Sequence, residues 1–210
     1  MKNTFFLIFG CKVNYYETEC MKSLFSKRGY NIIGEYKSAD IVVINSCTVT
    51  ASGDSRVFTA LKKIRKALPK AVIALTGCYP QAFAEETEKI MEADIIMGTK
   101  YRSRIVDVVE DFICKPQRIV FVSDYKSDDE YECITCTEFK DNTRAFVKIQ
   151  DGCNQFCSYC IIPYARGNVR SKKPENVIKE IKELIKNGHQ EIVLAGIHTG
   201  HYGSEFKDYD

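Results

Sequence analysis

At 210 residues, 45% of them hydrophobic, the chain is long enough for one large domain or two modest ones with a real core. A formal net charge of +2 names no class of partner, and no stretch approaches the ~18 apolar residues that a membrane-spanning helix needs.

Residues 4–10 are the first apolar run and imitate a lipoprotein leader ahead of Cys11. The run is too short for an export signal, and bulky Phe9 stands where a small residue is wanted, so it is read as a buried strand. Further strands are predicted at 40–45, 71–76, 93–97 and 118–122, all rich in Ile, Val and Phe. Helical periodicity follows them at about 16–28, 55–68, 80–91 and 102–113. In the second of these helices Phe58, Leu61, Ile64 and Leu68 share one face while Lys62, Lys66 and Lys70 fall elsewhere, giving a core helix with a basic exterior. Short strands alternating with amphipathic helices predict an α/β class, with a parallel-sheet domain over residues 1–122. Residues 123–142 lack periodicity and carry seven acids against two bases in 124–141, which reads as an acidic interdomain linker. A second, incomplete domain is expected over 143–210: a strand at 145–150, a loop to 173, a helix from Pro174 to about 187 and a strand at 190–195. That unit is one turn of a βα barrel or of an open α/β sheet. Six bases without an acid in 56–70, and nine bases against four acids in 144–186, are compatible with a polyanion-binding surface and equally with solvated faces.

Ten cysteines in a chain without an export signal point to metal binding in the cytoplasm rather than to disulfides. The densest group is Cys153-x-x-x-Cys157-x-x-Cys160, directly after a predicted strand. Three thiolates in one loop can wrap an iron–sulfur cluster and leave one iron open for a cofactor. A zinc knuckle or buried structural thiols are the competing readings; zinc usually takes four ligands, and no histidine lies in this loop. Cys11, Cys47 and Cys78 each follow a predicted strand, so a parallel sheet would deliver all three to the edge where ligands bind. Each alone would more often be a buried core thiol.

The segments Phe9-Gly10-Cys11-Lys12-Val13-Asn14, Ile44-Asn45-Ser46-Cys47-Thr48-Val49-Thr50, Thr76-Gly77-Cys78-Tyr79 and the run from Lys148 to Gly167 resemble the signatures of radical-SAM methylthiotransferases. The Gly-Cys-Lys-Val-Asn opening and Ala195-Gly196-Ile197-His198-Thr199-Gly200 are most similar to the subgroup acting on threonylcarbamoyladenosine in tRNA. The subgroups acting on isopentenyladenosine tRNA and on a ribosomal-protein aspartate open differently after the first cysteine. The resemblance implies the first part of a radical-SAM βα partial barrel after the N-terminal sheet domain. It implies that Cys153, Cys157 and Cys160 hold a [4Fe-4S] cluster that cleaves S-adenosylmethionine to a radical. It further implies that Cys11, Cys47 and Cys78 hold an auxiliary [4Fe-4S] cluster carrying the sulfur to be transferred. Tyr159 and Gly196 would lie beside S-adenosylmethionine. A second S-adenosylmethionine would give the methyl group, an external electron donor the electron, and tRNA the adenosine whose C2 is methylthiolated. No acid–base pair is required, because the cofactors carry the hard chemistry.

A full barrel and the family's RNA-binding domain need about twice this length, so the expectation is a truncated chain with little turnover alone, or one completed by a partner chain supplying the rest of the barrel. Tyr15 replaces a residue that is usually small and polar, and 51–59 looks shorter than the family pattern. Arg166 and Arg170 are read either as contacts to RNA phosphate or a cofactor carboxylate, or as ordinary surface arginines. Cys133 and Cys136 are read as incidental, Cys20 and Cys114 as core thiols, and His198 and His201 as loop residues. The alternative to an enzyme is a noncatalytic iron–sulfur or zinc module that holds RNA.

Overall fold

The computed structural model describes residues 1–48, 51–136, 139 and 144–206, the side chains of 51–52 excepted. Val49 and Thr50, part of the acidic linker and the expected boundary at 142–143 lie outside the described residues.

The first half forms β1 (Asn3–Ile8), α1 (Lys12–Lys27), β2 (Asn31–Ile33), β3 (Ile41–Ser46), α2 (Ala51–Ala67), β4 (Val72–Gly77), α3 (Cys78–Ala82), α4 (Ala84–Thr87), β5 (Ile95–Met97), α5 (Ile105–Cys114) and β6 (Ile119–Phe121). Six strands make one sheet in the order β2-β1-β3-β4-β5-β6, every pair parallel. β3 is buried at all six positions because helices cover both faces. Its alternation divides the core: Ile41 and Val43 join Phe6, Met21, Phe25, Ile105 and Val109, while Val42 and Ile44 join Val57, Leu61 and Ile64 of α2. The buried stripe expected on α2 is therefore the one that packs. Full burial of side chains such as Phe25 and Leu61 is worth about 1.5–3 kcal/mol each.

The second half contributes β7 (Arg144–Lys148), β8 (Gln150–Asp151), α6 (Ile162–Arg166), β9 (Arg170–Ser171), α7 (Pro174–Lys186) and β10 (Glu191–Ala195). β7 pairs in parallel with β10 across the α7 crossover, a single βαβ unit. α1 belongs to both halves. Met21 and Phe25 face the sheet, whereas Tyr16 and Cys20 pack with Ala145, Val147, Val177 and Leu184. One apolar core thus crosses from the first half of the chain to the second.

Several expectations need correction. The helix expected at 80–91 is two short ones, because Phe83 leaves helical dihedrals (φ −130°, ψ 57°) to pack on Tyr79, 5.2 Å between ring centroids. Gln81 also pins that turn, donating to the Ser123 carbonyl and accepting from the Thr99 amide. The loop expected to run to 173 contains α6 and the antiparallel pair β8–β9, and the edge strand β2 was not anticipated. The acidic linker has no regular element among its described residues, yet it is no loose tether: Cys136 and Phe139 are core residues, and the Tyr131 hydroxyl donates to the Lys148 carbonyl at 2.6 Å. Cys20 is fully buried as expected, but Cys114 is exposed, standing at the solvent end of α5.

Candidate functional site

In the order 2-1-3-4-5-6 the connections reverse direction between β1 and β3, and the crevice beyond the carboxyl ends of those strands is where open parallel sheets take ligands. Register delivers the three N-terminal cysteines there. Ile8 lies opposite Asn45, and Ser46 opposite Gly77, so Cys47 and Cys78 leave the sheet at the same level and Cys11 just beyond it. Cys11 is the N-cap of α1.

The hub of this edge is Asn14, a buried residue to which the sequence reading gave no role. Its Nδ2 donates to the Phe9 carbonyl at 2.9 Å and the Ser46 carbonyl at 2.8 Å, tying the β1 and β3 ends together. Its Oδ1 lies 4.0 Å from Cys11 Sγ and 4.0 Å from Cys78 Sγ. Those two sulfurs are therefore no more than about 8 Å apart. Cys47 comes in over Gly10: a Cβ built on Gly10 would stand 3.0 Å from both Cys47 Sγ and Asn14 Nδ2, and 2.7 Å from Cys47 Cβ. With φ at +118° as well, that position admits only glycine. Cys11 is exposed, Cys47 half-buried and Cys78 buried. Burial pushes the Cys78 thiol up, against the pull of the Arg166 and Arg102 guanidiniums.

Those arginines belong to a buried charge network that sequence reasoning misplaced. Arg166 is wholly buried and Arg170 nearly so, which excludes a surface role for either. From the end of α6, Arg166 Nη2 donates to Asn14 Oδ1 at 2.6 Å, and its Nη1 reaches Glu17 Oε1 at 2.9 Å and Asp151 Oδ1 at 3.1 Å. Lys148 Nζ bonds the same two carboxylates at 2.8 and 2.9 Å. Arg102 Nη2 sits 3.2 Å from Glu17 Oε2, and Arg170 Nη2 3.9 Å from Asp151 Oδ2. Burial alone would raise Glu17, but Arg102, Arg166 and Lys148 overcome it and hold its carboxyl at about 2. Asp151 is held below the usual carboxylate range in the same way, Lys148 and Arg166 outweighing burial. Four cations thus gather on two buried carboxylates, with Asp129 acting on Arg170 and Glu132 at the Arg102 amide, and Arg166 carries this positive charge to the sheet edge.

The second trio lies in the loop between β8 and α6. Cys153 is buried and its amide donates to the Gly167 carbonyl at 3.0 Å; Cys157 is exposed, and the Cys160 amide turns back to the Cys157 carbonyl at 2.9 Å. Phe156 within this loop takes a left-handed φ of +44°, strain of the kind that functional loops store. Tyr159 is 90% exposed beside Cys160. Gly196 follows β10, where Gln150 backs it and accepts from the His198 amide at 2.8 Å. The His198 and His201 rings meet at 4.1 Å. Cys133 is exposed and Cys136 is buried near Cys20, so the C-x-x-C spacing does not put its two thiols in one setting.

Among the described residues no three His, Cys, Asp or Glu side chains enclose a single metal ion. A four-iron cube asks for a wider set, with each thiolate on its own iron. The sulfur donors at the switch point, bordered by the buried cations Arg166 and Arg102, fit such an anionic cluster. The Cys153 loop offers three sulfurs and no fourth ligand of its own, which fits a cluster with one open iron.

Two family models match the chain in tandem: "Uncharacterized protein family UPF0004" over residues 3–98 and "Radical SAM superfamily" over 147–208. A threonylcarbamoyladenosine tRNA methylthiotransferase of Bacillus subtilis is 43% identical over 210 residues, covering 100% of this chain and 47% of the relative. Its namesake from Aquifex aeolicus is 34% identical over 92% of this chain and 47% of its own length. A tRNA-2-methylthio-N(6)-dimethylallyladenosine synthase of Carboxydothermus hydrogenoformans is 32% identical over 98% of this chain and 48% of its own length. The chain spans about half the length of these curated relatives. Among solved structures, the radical S-adenosylmethionine methyltransferase TsrM of Kitasatospora setae superposes with a TM-score of 0.62 at 11% identity, over 94% of this chain and 48% of that one, a likeness of fold.

Proposed function

We propose that the chain is part of a radical-SAM methylthiotransferase, as its two tandem family models and its similarity to such enzymes support, and that it serves to methylthiolate C2 of N6-threonylcarbamoyladenosine next to the anticodon of tRNA. The observation that carries this reading is the convergence of Cys11, Cys47 and Cys78 on Asn14, next to the helix that leaves the Cys153–Cys160 loop. Cys153, Cys157 and Cys160 would hold one [4Fe-4S] cluster with an iron open to S-adenosylmethionine, and the other trio a second. When bound, these groups supply the electron, the sulfur and the methyl group of the transfer. The chain's own residues place them. Gly10 and Gly77 let the strand ends approach, Asn14 spaces the sulfurs, and Tyr159 and Gly196 flank the cofactor. An external electron donor and tRNA are the partners this chemistry needs, in the cytoplasm where tRNA is found. No helix among the described residues is long and apolar enough to cross a membrane.

The choice of threonylcarbamoyladenosine is supported by 43% identity to that relative against 32–34% to the dimethylallyladenosine enzymes. Anaerobic reconstitution should load about eight irons per chain, falling to about four when either trio is changed to alanine. About four in the unsubstituted chain, or about one zinc, would sink the two-cluster reading. Deleting the gene and analysing tRNA nucleosides tests the substrate. Methylthiolation should vanish from threonylcarbamoyladenosine and persist on dimethylallyladenosine, and the reverse would assign the other subgroup.

A further inference from the structure

We infer that Arg166, backed by Arg102, is a positioning and charge-balancing residue for the Cys11/Cys47/Cys78 site, acting on it from the opposite half of the chain. The inference rests on the two-cluster reading and adds a residue that the cysteine pattern does not contain.

Arg166 lies six residues after Cys160, and by sequence it belongs to the loop of the other trio. In space it serves the first. Its Nη2 holds Asn14 Oδ1 at 2.6 Å, the same oxygen that stands 4.0 Å from Cys11 Sγ and from Cys78 Sγ. The amide cannot flip without losing this bond and its two donations to the Phe9 and Ser46 carbonyls. Arg166 thereby sets which face of Asn14 the sulfurs meet. The second part of the argument is charge. Arg102, Arg166 and Lys148 converge on Glu17, and Lys148, Arg166 and Arg170 on Asp151, every one of these four cations having a side chain no more than 8% exposed; Arg170 also feels Asp129. Glu132, at the rim, adds a further carboxylate, hydrogen-bonded to the backbone amides of Arg102 and Ser103. Among the described residues Arg102 Nε and Arg166 Nε are buried with no hydrogen-bond partner. This cluster of positive charge reaches the sheet edge through Arg166, and a cube held by three thiolates there is an anion that it would favour. Cluster potential depends on net charge and on the surroundings of the sulfurs. A fixed cation favours the more negative, reduced state and so raises the midpoint.

The test uses the 210-residue chain reconstituted anaerobically with iron and sulfide. With Cys153, Cys157 and Cys160 changed to alanine, only the N-terminal site remains, and its potential is read by EPR-monitored titration. Arg166→Gln should move the midpoint to more negative values and alter the EPR signal. Arg166→Lys, which keeps the charge, should restore the midpoint while leaving the altered signal. In the reciprocal chain, with Cys11, Cys47 and Cys78 changed to alanine, Arg166→Gln should leave the remaining cluster's midpoint in place. An unchanged midpoint in the first chain, or an equal shift in both, overturns the inference. If Arg166→Gln does not fold, Arg102→Gln replaces it: the same negative shift supports the inference and no shift overturns it. Failure of the first chain to bind any cluster before Arg166 is touched refutes the two-cluster reading instead.

Discussion

Glu17→Gln isolates what the buried network contributes to folding. The substitution keeps shape and removes one charge, leaving Lys148 and Arg166 on Asp151 and Arg102 without its ion pair. Glu17 is held at about 2 against a usual 4.5, and a difference of that size corresponds to about 3 kcal/mol of stability at neutral pH. Breaking a buried ion pair from one side typically costs about 3–5 kcal/mol, so the two figures agree. For a chain of this size that is a fall in melting temperature on the order of 10 °C. The sign with pH follows from the depressed value. The contribution is complete above pH 4.5 and is lost as pH falls through about 2, because the protonated carboxyl no longer differs in charge from the amide. Parent and variant should therefore differ most at pH 7, with the gap narrowing in steps below pH 4.5. Urea unfolding at several pH values, followed by circular dichroism on iron-free protein, measures it. A gap under about 1 kcal/mol at pH 7, or one that stays constant down to pH 3, would refute the reasoning.

Gly10→Ala places a Cβ 2.7 Å from Cys47 Cβ at a φ of +118°. Reconstituted protein should retain its helix and strand content while losing about half its iron, and full iron content would show that Gly10 does not shape the site. Glu180→Gln strands the buried Lys172 ammonium, since Glu180 pairs with Lys172 and also accepts the Cys136 amide at 3.0 Å. The variant should lose about 3–5 kcal/mol in urea unfolding, while the double change Lys172→Met with Glu180→Met loses much less.

The sheet was legible because its signal is local. Runs such as Ile41-Val42-Val43-Ile44 are apolar at every position only when both faces are covered, and α2 shows its buried stripe at helical spacing. The cysteine trio was legible as topology, since each thiol follows a strand and strand ends share an edge. What sequence could not show depended on contacts far apart in the chain. Nothing around Arg166 says that its guanidinium meets Asn14, 152 positions away, and a basic residue beside a metal loop reads by default as a surface contact. The linker misled in the same way. It read as an aperiodic tether between domains, but Tyr131, Cys136 and Phe139 dock between α1 and the βαβ unit. The break at Phe83 is set by its packing on Tyr79 and by the distant bonds of Gln81, not by a helix-breaking residue.

Iron removal tests whether the charge surplus and the proposed N-terminal cluster were built for each other. Without the cluster, Arg166 and Arg102 act only on the Cys78 thiol, whose deprotonation burial opposes. With it, the same cations face a net negative group, so metal binding and folding are coupled. The reconstituted chain carrying only the Cys11, Cys47 and Cys78 site should therefore melt above its iron-free form in anaerobic calorimetry. Reducing the surplus should narrow the gap, because Arg166→Gln removes one of several clustered positive charges from the iron-free state while depriving the loaded state of a partner. The two changes act on neighbouring groups and should be strongly non-additive. An iron-dependent gap that is the same in the Arg166→Gln chain would mean that the cluster's stabilisation comes from closing the cysteine loops alone, with the buried cations serving only the junction between the two halves.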